Sequence, residues 1–513
     1  MIKILLINSG SNVLVMVIKL IVTFIMTPIF VTNLGKYDYG LWEMIMSVIG
    51  YMGMLDMGLR PAISRYAAKY AAVNDKKKLE VVYSSTLLFM AVIGIVLCIF
   101  FCLWGLWYGS ALGPEGSEPQ KRYILFLLIL GAQLIFVFPG YAAESYLEGF
   151  QKYYLKNNIT IFNTLVSSAI LYKFINPGNG LLLLAGCNAI GLSVKYLVFM
   201  WLLTRSAFGG LKVSLRSFSY SKLKEMLVFS SKSLVQGISA RIENRTDALV
   251  IGFFLGPAMV PLYIIPCNLV QYIRTFGWNL THAFMPLFSN LSARNEHETI
   301  SSLYLIGSKY VVAIVTAMAV GVGIVGGPFI ILWIGPEFRD YSDIIVGLLT
   351  IFIAGPFMNP FGGRYLTAIG KHGIFARLSP VQALLNLGLS LSLVDHYGIL
   401  GVAFASTVQV FIFVPIYLRY SCKNLGIPVT KYINRSVLPS FLPAVVLAFV
   451  VSMFRYNGWL TTYPMMLVSI IVSSIAWIVV FWFMALINTE RSYLLARMRG
   501  RKELGYPGFN ERL

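Results

Sequence analysis

The feature that most constrains this 513-residue chain is a repeated length. Apolar stretches of about 20 residues, enough to cross a hydrocarbon core of roughly 30 Å, follow one another from end to end with only short polar breaks. About fourteen are recognisable, at 9–33, 39–62, 83–107, 122–143, 155–175, 181–204, 227–255, 259–285, 303–334, 343–368, 376–395, 399–420, 437–455 and 464–487. Each reads as a transmembrane helix. Composition agrees: 12% of residues are charged and 58% hydrophobic, where soluble domains carry roughly 25% charged residues. The expected fold class is an all-α polytopic membrane protein. The first window is too long for a signal peptide and lacks a small-residue cleavage site, so it reads as a retained helix.

Orientation follows from lysine and arginine, which are retained on the cytoplasmic side. With the N-terminus inside, 26 basic residues fall in inside segments and six outside: Lys36, Lys121, Arg122, Lys173, Arg339 and Arg455. Both termini are therefore expected in the cytoplasm. The formal net charge of +20 sits largely in those inside loops, where topology and contact with anionic membrane lipids account for it. Nucleic acid is not an expected partner, because no basic fold or stacking module is present.

A shift of 221 positions lays Leu34–Trp42 on Leu255–Tyr263 and keeps its register. Tyr51 then meets Tyr272, Leu59 meets Leu280, Ala72 meets Ala293, Asn74 meets Asn295 and Tyr83 meets Tyr304. The same shift superimposes span one on span seven and span two on span eight. Six spans separate the copies, so they run in the same direction as parallel repeats. The expected organisation is an N-terminal lobe at 1–204 (spans one to six), a cytoplasmic linker at 205–226 and a C-terminal lobe at 227–420 (spans seven to twelve). Spans thirteen and fourteen at 421–487 and a basic cytoplasmic tail at 488–513 follow. A pair of pseudo-symmetric six-helix lobes places a transport site at mid-membrane depth between them.

Span seven carries the chemistry. Its segment "QGISARIENRTDALVIGFFLG" holds Arg241, Glu243, Arg245 and Asp247 at every second position. Each charge near mid-helix costs roughly 2.5–3.5 kcal/mol against lipid, so the four must face protein or water. At 3.6 residues per turn the arginines share one face and the carboxylates another, so the helix does not neutralise itself. Arg241, Arg245, Lys19, Arg60, Arg274 and Arg364 form a basic set suited to an anion, since arginine presents a planar fork to phosphate oxygens. Asp56, Glu243 and Asp247 are candidates for a coupling ion or for pairing between helices. Lys232 reads as an anchor, and Trp42 and Tyr263 as interfacial belt residues.

No nucleotide-binding loop or spaced metal cluster is present, and His282, His297, His372 and His396 are scattered. The five cysteines lack CxxC or metal-ligand spacing and read as packing residues. Catalysis, a metal site and a cofactor are therefore not expected.

The run "LGKYDYGLWEMIMSVIGYMGMLDMGLRPAISRYAAKYAA", Leu34 to Ala72, resembles the polysaccharide-transport branch of the multidrug/oligosaccharidyl-lipid/polysaccharide exporter superfamily, in particular bacterial O-antigen flippases. The resemblance rests on the LG-x4-GLW turn, on Asp56 to Leu59 and on Ser64 to Tyr66 leading into a basic loop. "TDALVIGFFLG" from Thr246 is similar to that family's seventh helix. The resemblance implies a carrier, not an enzyme, in the bacterial cytoplasmic (inner) membrane. Its cargo would be an undecaprenyl-pyrophosphate-linked oligosaccharide, such as an O-antigen or exopolysaccharide repeat unit, moved from inner to outer leaflet by alternating access. It also implies a cationic cavity. Coupling to H+, to Na+ or to the membrane potential is left open by the sequence, and a polysaccharide polymerase or chain-length regulator is the candidate protein partner. The alternatives are a flippase for the peptidoglycan precursor lipid II and a multidrug cation antiporter of the same superfamily. The basic excess argues against the antiporter.

Overall fold

A computed structural model describes residues 2–56, 58–111, 117–205, 210–282 and 284–498. Among them every regular element is helical and no strand occurs. The chain divides into two compact units, Met1–Arg241 and Ile242–Leu513, and the division falls inside a single helix.

The first unit contains α1 (Ile2–Met52), α2 (Leu59–Ala72), α3 (Lys76–Ala111), α4 (Glu118–Ala132), α5 (Leu134–Gly149), α6 (Tyr153–Phe174), α7 (Gly180–Thr204) and the start of α8 (Tyr220–Leu255). Expected span one and the first part of span two, as far as Met52, lie within α1, which bends at Gly35 (φ 75°, ψ 168°) in the polar stretch between them; the rest of span two runs through the turn at Gly53–Asp56 into α2. Leu59, Ala62, Ile63 and Ala67 recur at helical spacing on α2 and are fully buried, so the short helix is held by one apolar face. The linker is tied down by backbone groups: Ser214 N–H donates to Ser84 Oγ (3.2 Å) and Ser219 N–H to Ser85 Oγ (2.8 Å), both at the start of α3. At the head of α8, Lys222 Nζ and the Tyr66 hydroxyl each donate to Glu225 at 2.6 Å. Those two bonds hold its carboxyl below the ordinary range.

The second unit continues with α9 (Val260–His282), α10 (Phe284–Ala293), α11 (His297–Trp333), α12 (Arg339–Ala354), α13 (Gly362–Ala368) and α14 (Gly373–Leu425). It ends with α15 (Val429–Tyr432), α16 (Leu438–Tyr456), α17 (Tyr463–Val480) and α18 (Asn488–Met498). Spans eleven and twelve share α14, which bends at Gly398 (φ 58°, ψ −141°). Spans thirteen and fourteen, on α16 and α17, pack against α11 through a cluster of Val325, Leu447, Val451, Leu460 and Met466.

Nine helical segments among the described residues are long and apolar enough to cross a membrane; Gly373–Leu425 holds expected spans eleven and twelve, and Gly10–Asp56 holds span one with most of span two. Spans five, seven and eight also form helices (α6, α8 and α9), but their polar residues keep them out of those nine.

The 221-residue repeat is written into the backbone. Gly35 and Gly256 both take positive φ, 75° and 89°. Asn74 and Asn295, the repeat mates in the polar loops, are left-handed at φ 53° and 58°. Asp75 N–H bonds Tyr70 O and Glu296 N–H bonds Leu291 O, each at 3.0 Å. The helices that follow start at mates as well, Lys76 with His297 and Glu118 with Arg339. Tyr83 and Tyr304 are each fully buried in an edge-to-face pair, with Tyr146 (4.9 Å) and Tyr365 (5.9 Å). Gly256 (φ 89°, ψ 157°) occupies a region open essentially to glycine alone, while a Cβ there would meet nothing. Gly256→Ala is therefore expected to cost about 1–3 kcal/mol through backbone strain, read as a lowered unfolding temperature in detergent. An unchanged midpoint would show that the turn relaxes freely.

Candidate functional site

In the first unit, α1, α2, α5, α6 and α7 gather charge that the membrane would otherwise exclude. Arg60 on α2 pairs with Glu144 on α5 at 3.0 Å, and its guanidinium lies 4.7 Å from the centroid of the Tyr141 ring. Lys156 on α6 reaches Glu148 at 2.7 Å and Glu144 at 3.8 Å. Lys195 on α7 lies 4.1 Å over the Tyr196 ring and has Glu144, Lys19, Arg60 and Lys156 as charged neighbours. Four cations thus share two carboxylates, and the tyrosines Tyr141 and Tyr196 meet edge-to-face at 5.7 Å beside them.

Asp56 is buried and accepts the Gly58 N–H at 2.8 Å, which closes the turn between α1 and α2. Arg60 and Arg241 are its charged neighbours. The Arg241 guanidinium donates to the Gly50 carbonyl, where the end of α1 leaves backbone acceptors open.

The second unit holds the acidic pair of span seven. The Asp247 carboxylate is buried and accepts from the Tyr263 hydroxyl and from Ser406 Oγ (3.3 Å), both through Oδ2. Asn386 donates to Ser406 at 3.0 Å. Among the described residues neither Asp247 Oδ1 nor Asn386 Oδ1 has a hydrogen-bond partner. Glu243 accepts from Gln382 Nε2 at 3.5 Å, Gln382 in turn accepts from the Tyr417 hydroxyl at 3.4 Å, and Arg274 is the charged neighbour of Glu243.

The candidates therefore separate. Lys19, Arg60, Asp56 and Arg241 fall in one electrostatic neighbourhood of the first unit; Glu243, Asp247 and Arg274 fall in the second. Arg245 is exposed, and Arg364 on α13 is half-buried, with no hydrogen bond or ion pair to another candidate among the described residues. No ion pair within 4 Å joins the four charges of span seven among those residues, as their helical spacing requires. The Lys232 side chain lies outside the described set. Trp42 and Tyr263 depart from the belt expectation: both are buried, Tyr263 because its hydroxyl is spent on Asp247.

Glu144, Glu148, Lys156 and Lys195 escape sequence reasoning, as do Ser406 and Asn386. The charges stand singly near helix ends or within apolar runs, and only helix packing collects them.

Comparison with known proteins follows the same lines. Residues 5–292 match the family described as "Polysaccharide biosynthesis protein". The chain is 22% identical over 395 residues to a "Putative O-antigen transporter" of Shigella flexneri, covering 74% of this chain and 88% of that protein. It is 21% identical over 399 residues to the "Probable low-salt glycan biosynthesis flippase Agl15" of Haloferax volcanii, covering 77% and 79% respectively. The solved structure "Lipid II flippase MurJ, inward closed conformation" shares the fold, with a TM-score of 0.69 at 13% identity over 97% of this chain and 100% of that one.

Proposed function

Because the chain belongs to the polysaccharide biosynthesis protein family, in the polysaccharide-transport branch of the multidrug/oligosaccharidyl-lipid/polysaccharide exporter superfamily, we propose that it is a flippase for undecaprenyl-pyrophosphate-linked O-antigen or exopolysaccharide repeat units. It carries them from the inner to the outer leaflet of the cytoplasmic membrane by alternating access, with both termini in the cytoplasm. The observation that supports this most directly is the basic cluster of the first unit, where Lys19, Arg60, Lys156 and Lys195 outnumber Glu144 and Glu148. Pyrophosphate does not enter hydrocarbon unaided, and fixed cations at membrane depth lower the cost of its passage. Tyrosine faces beside the cations suit sugar rings. A carrier for cationic drugs would invert that charge balance.

Asp247 is assigned the coupling ion, H+ or Na+, in this reading. The support is its unpartnered Oδ1 beside the unpartnered Asn386 Oδ1, an acceptor-rich site that a proton or small cation would complete.

The test is complementation of a strain deleted for its O-antigen flippase, reading surface polysaccharide and protein level together. Wild-type chain restores polysaccharide. Arg241→Ala, which removes the guanidinium on Gly50 O, and Arg245→Ala, which removes an exposed charge, each lower it at unchanged protein level, and the Lys replacements do so less. Normal polysaccharide from both Ala variants removes the pair from the mechanism. Rescue only of a strain depleted of its lipid II flippase would reassign the cargo to the peptidoglycan precursor, a reading that the shared fold with such a flippase supports.

A further inference from the structure

The facing sides of α6 and α7 form an open groove of about 810 Å³ within the first unit. Its walls are apolar, with Phe162 and Val166 on α6 and Ile190 and Val194 on α7, and Lys195 and Asn158 lie toward one end. Phe162 and Ile190 are 70% and 67% exposed, so the groove is open along its side. Lys195 and Leu182 both line it and stand thirteen positions apart on α7, about 20 Å along the helix axis.

Lys195 is the unusual member. Among the described residues no carboxylate lies within ion-pair distance of its ammonium, because Glu144 is held by Arg60 and Lys156. A cation at this depth calls for an anion or water. The depth itself identifies which anion. Lys195 stands nine residues from Thr204, about 14 Å from that end of a helix about 37 Å long, and so roughly 10 Å inside a hydrocarbon core of about 30 Å. A resident phospholipid keeps its phosphate at the interface, so a phosphate that far inside the core belongs to a lipid in passage.

We infer that the α6–α7 groove is a binding site for the polyprenyl chain of the translocating lipid, with Lys195 holding its phosphate inside the hydrocarbon core. This rests on the flippase reading above and adds to it where the tail lies and which cation meets the phosphate. The chain lies along the apolar wall toward Leu182 while the phosphate accepts from the Lys195 ammonium. The tail is thereby guided on the protein surface as the headgroup passes through the basic cluster.

The experiment uses the purified full chain in detergent and radiolabelled undecaprenyl pyrophosphate. Lys195→Gln is expected to weaken retention roughly 10- to 100-fold, the scale of one lost charge-assisted hydrogen bond, and Lys195→Arg to keep most of it. Gly186→Leu plugs the groove from α7; a Cβ at Gly186 meets nothing within 4 Å, so the helix packing is left intact. It is expected to weaken retention of undecaprenyl pyrophosphate at least tenfold while leaving competition by inorganic pyrophosphate unchanged. Competition by dioleoyl phosphatidylglycerol as strong as that of undecaprenyl pyrophosphate would overturn the inference in favour of a resident-lipid groove. Unchanged retention in both Lys195→Gln and Gly186→Leu would overturn it and leave the flippase reading standing. Failure of the wild-type chain to retain the probe would overturn both.

Discussion

Replacing Glu490 with alanine should destabilise the second unit by about 3–5 kcal/mol, the cost of stranding a buried charge. Glu490 and Lys309 are 3% and 6% exposed and form an ion pair between α18 and the interior of α11. The Lys309 ammonium also reaches the Ala485 carbonyl at 3.3 Å, and Glu490 accepts the Ile487 N–H at 3.1 Å, so the carboxylate both neutralises the lysine and caps the first turn of α18. In Glu490→Ala the lysine keeps one carbonyl, the helix loses its cap, and α18 loses its hold on α11. Glu490→Gln preserves shape and one acceptor and should fall between. The double variant Lys309→Met/Glu490→Leu separates charge from packing: with both ions gone it should be far milder than Glu490→Ala. The measurement is thermal unfolding of the purified chain in detergent. A Glu490→Ala midpoint matching wild type would mean that water reaches the lysine and that the pair is only a surface contact.

This pair also marks where the sequence stops being legible. Residues 488–513 read as a basic polar tail, since charge density alone looks like solvent. Yet one carboxylate in that stretch is buried because a lysine waits six residues into span nine. The spans themselves are legible because hydropathy over 20 residues is a strong signal, and the repeat because Gly35, Asn74 and Tyr83 each carry a local backbone or packing demand that recurs 221 residues later. Gly35 and Gly398 fall in the short breaks read between spans one and two and between spans eleven and twelve, where glycine lets the backbone bend and the helix resume. Span seven announced its charges by density. Lys195 did not, because one lysine in an apolar helix reads as a snorkelling side chain until α6 and α5 are seen beside it.

Asp247→Asn carries the sharpest functional expectation. In proteoliposomes with an imposed ion gradient, the initial rate of lipid-linked oligosaccharide translocation should fall roughly 10- to 100-fold, and the remaining rate should no longer depend on the gradient. The substitution is nearly isosteric, so Tyr263 and Ser406 keep an acceptor, while the charge that a proton or Na+ would balance is gone. Asn386→Ala tests the same site from its other side. It removes an unpartnered Oδ1 and the donor to Ser406 without touching a charge, so ion affinity should drop while the translocation rate at saturating ion is largely kept. Exchanging an H+ gradient for a Na+ gradient in the wild type then names the ion. The structural alternative gives a different pattern. If Asp247 serves only to pin α8 to α9 and α14, Asp247→Asn lowers the unfolding temperature and leaves the gradient response of the surviving protein intact, which would strike this residue from the coupling mechanism.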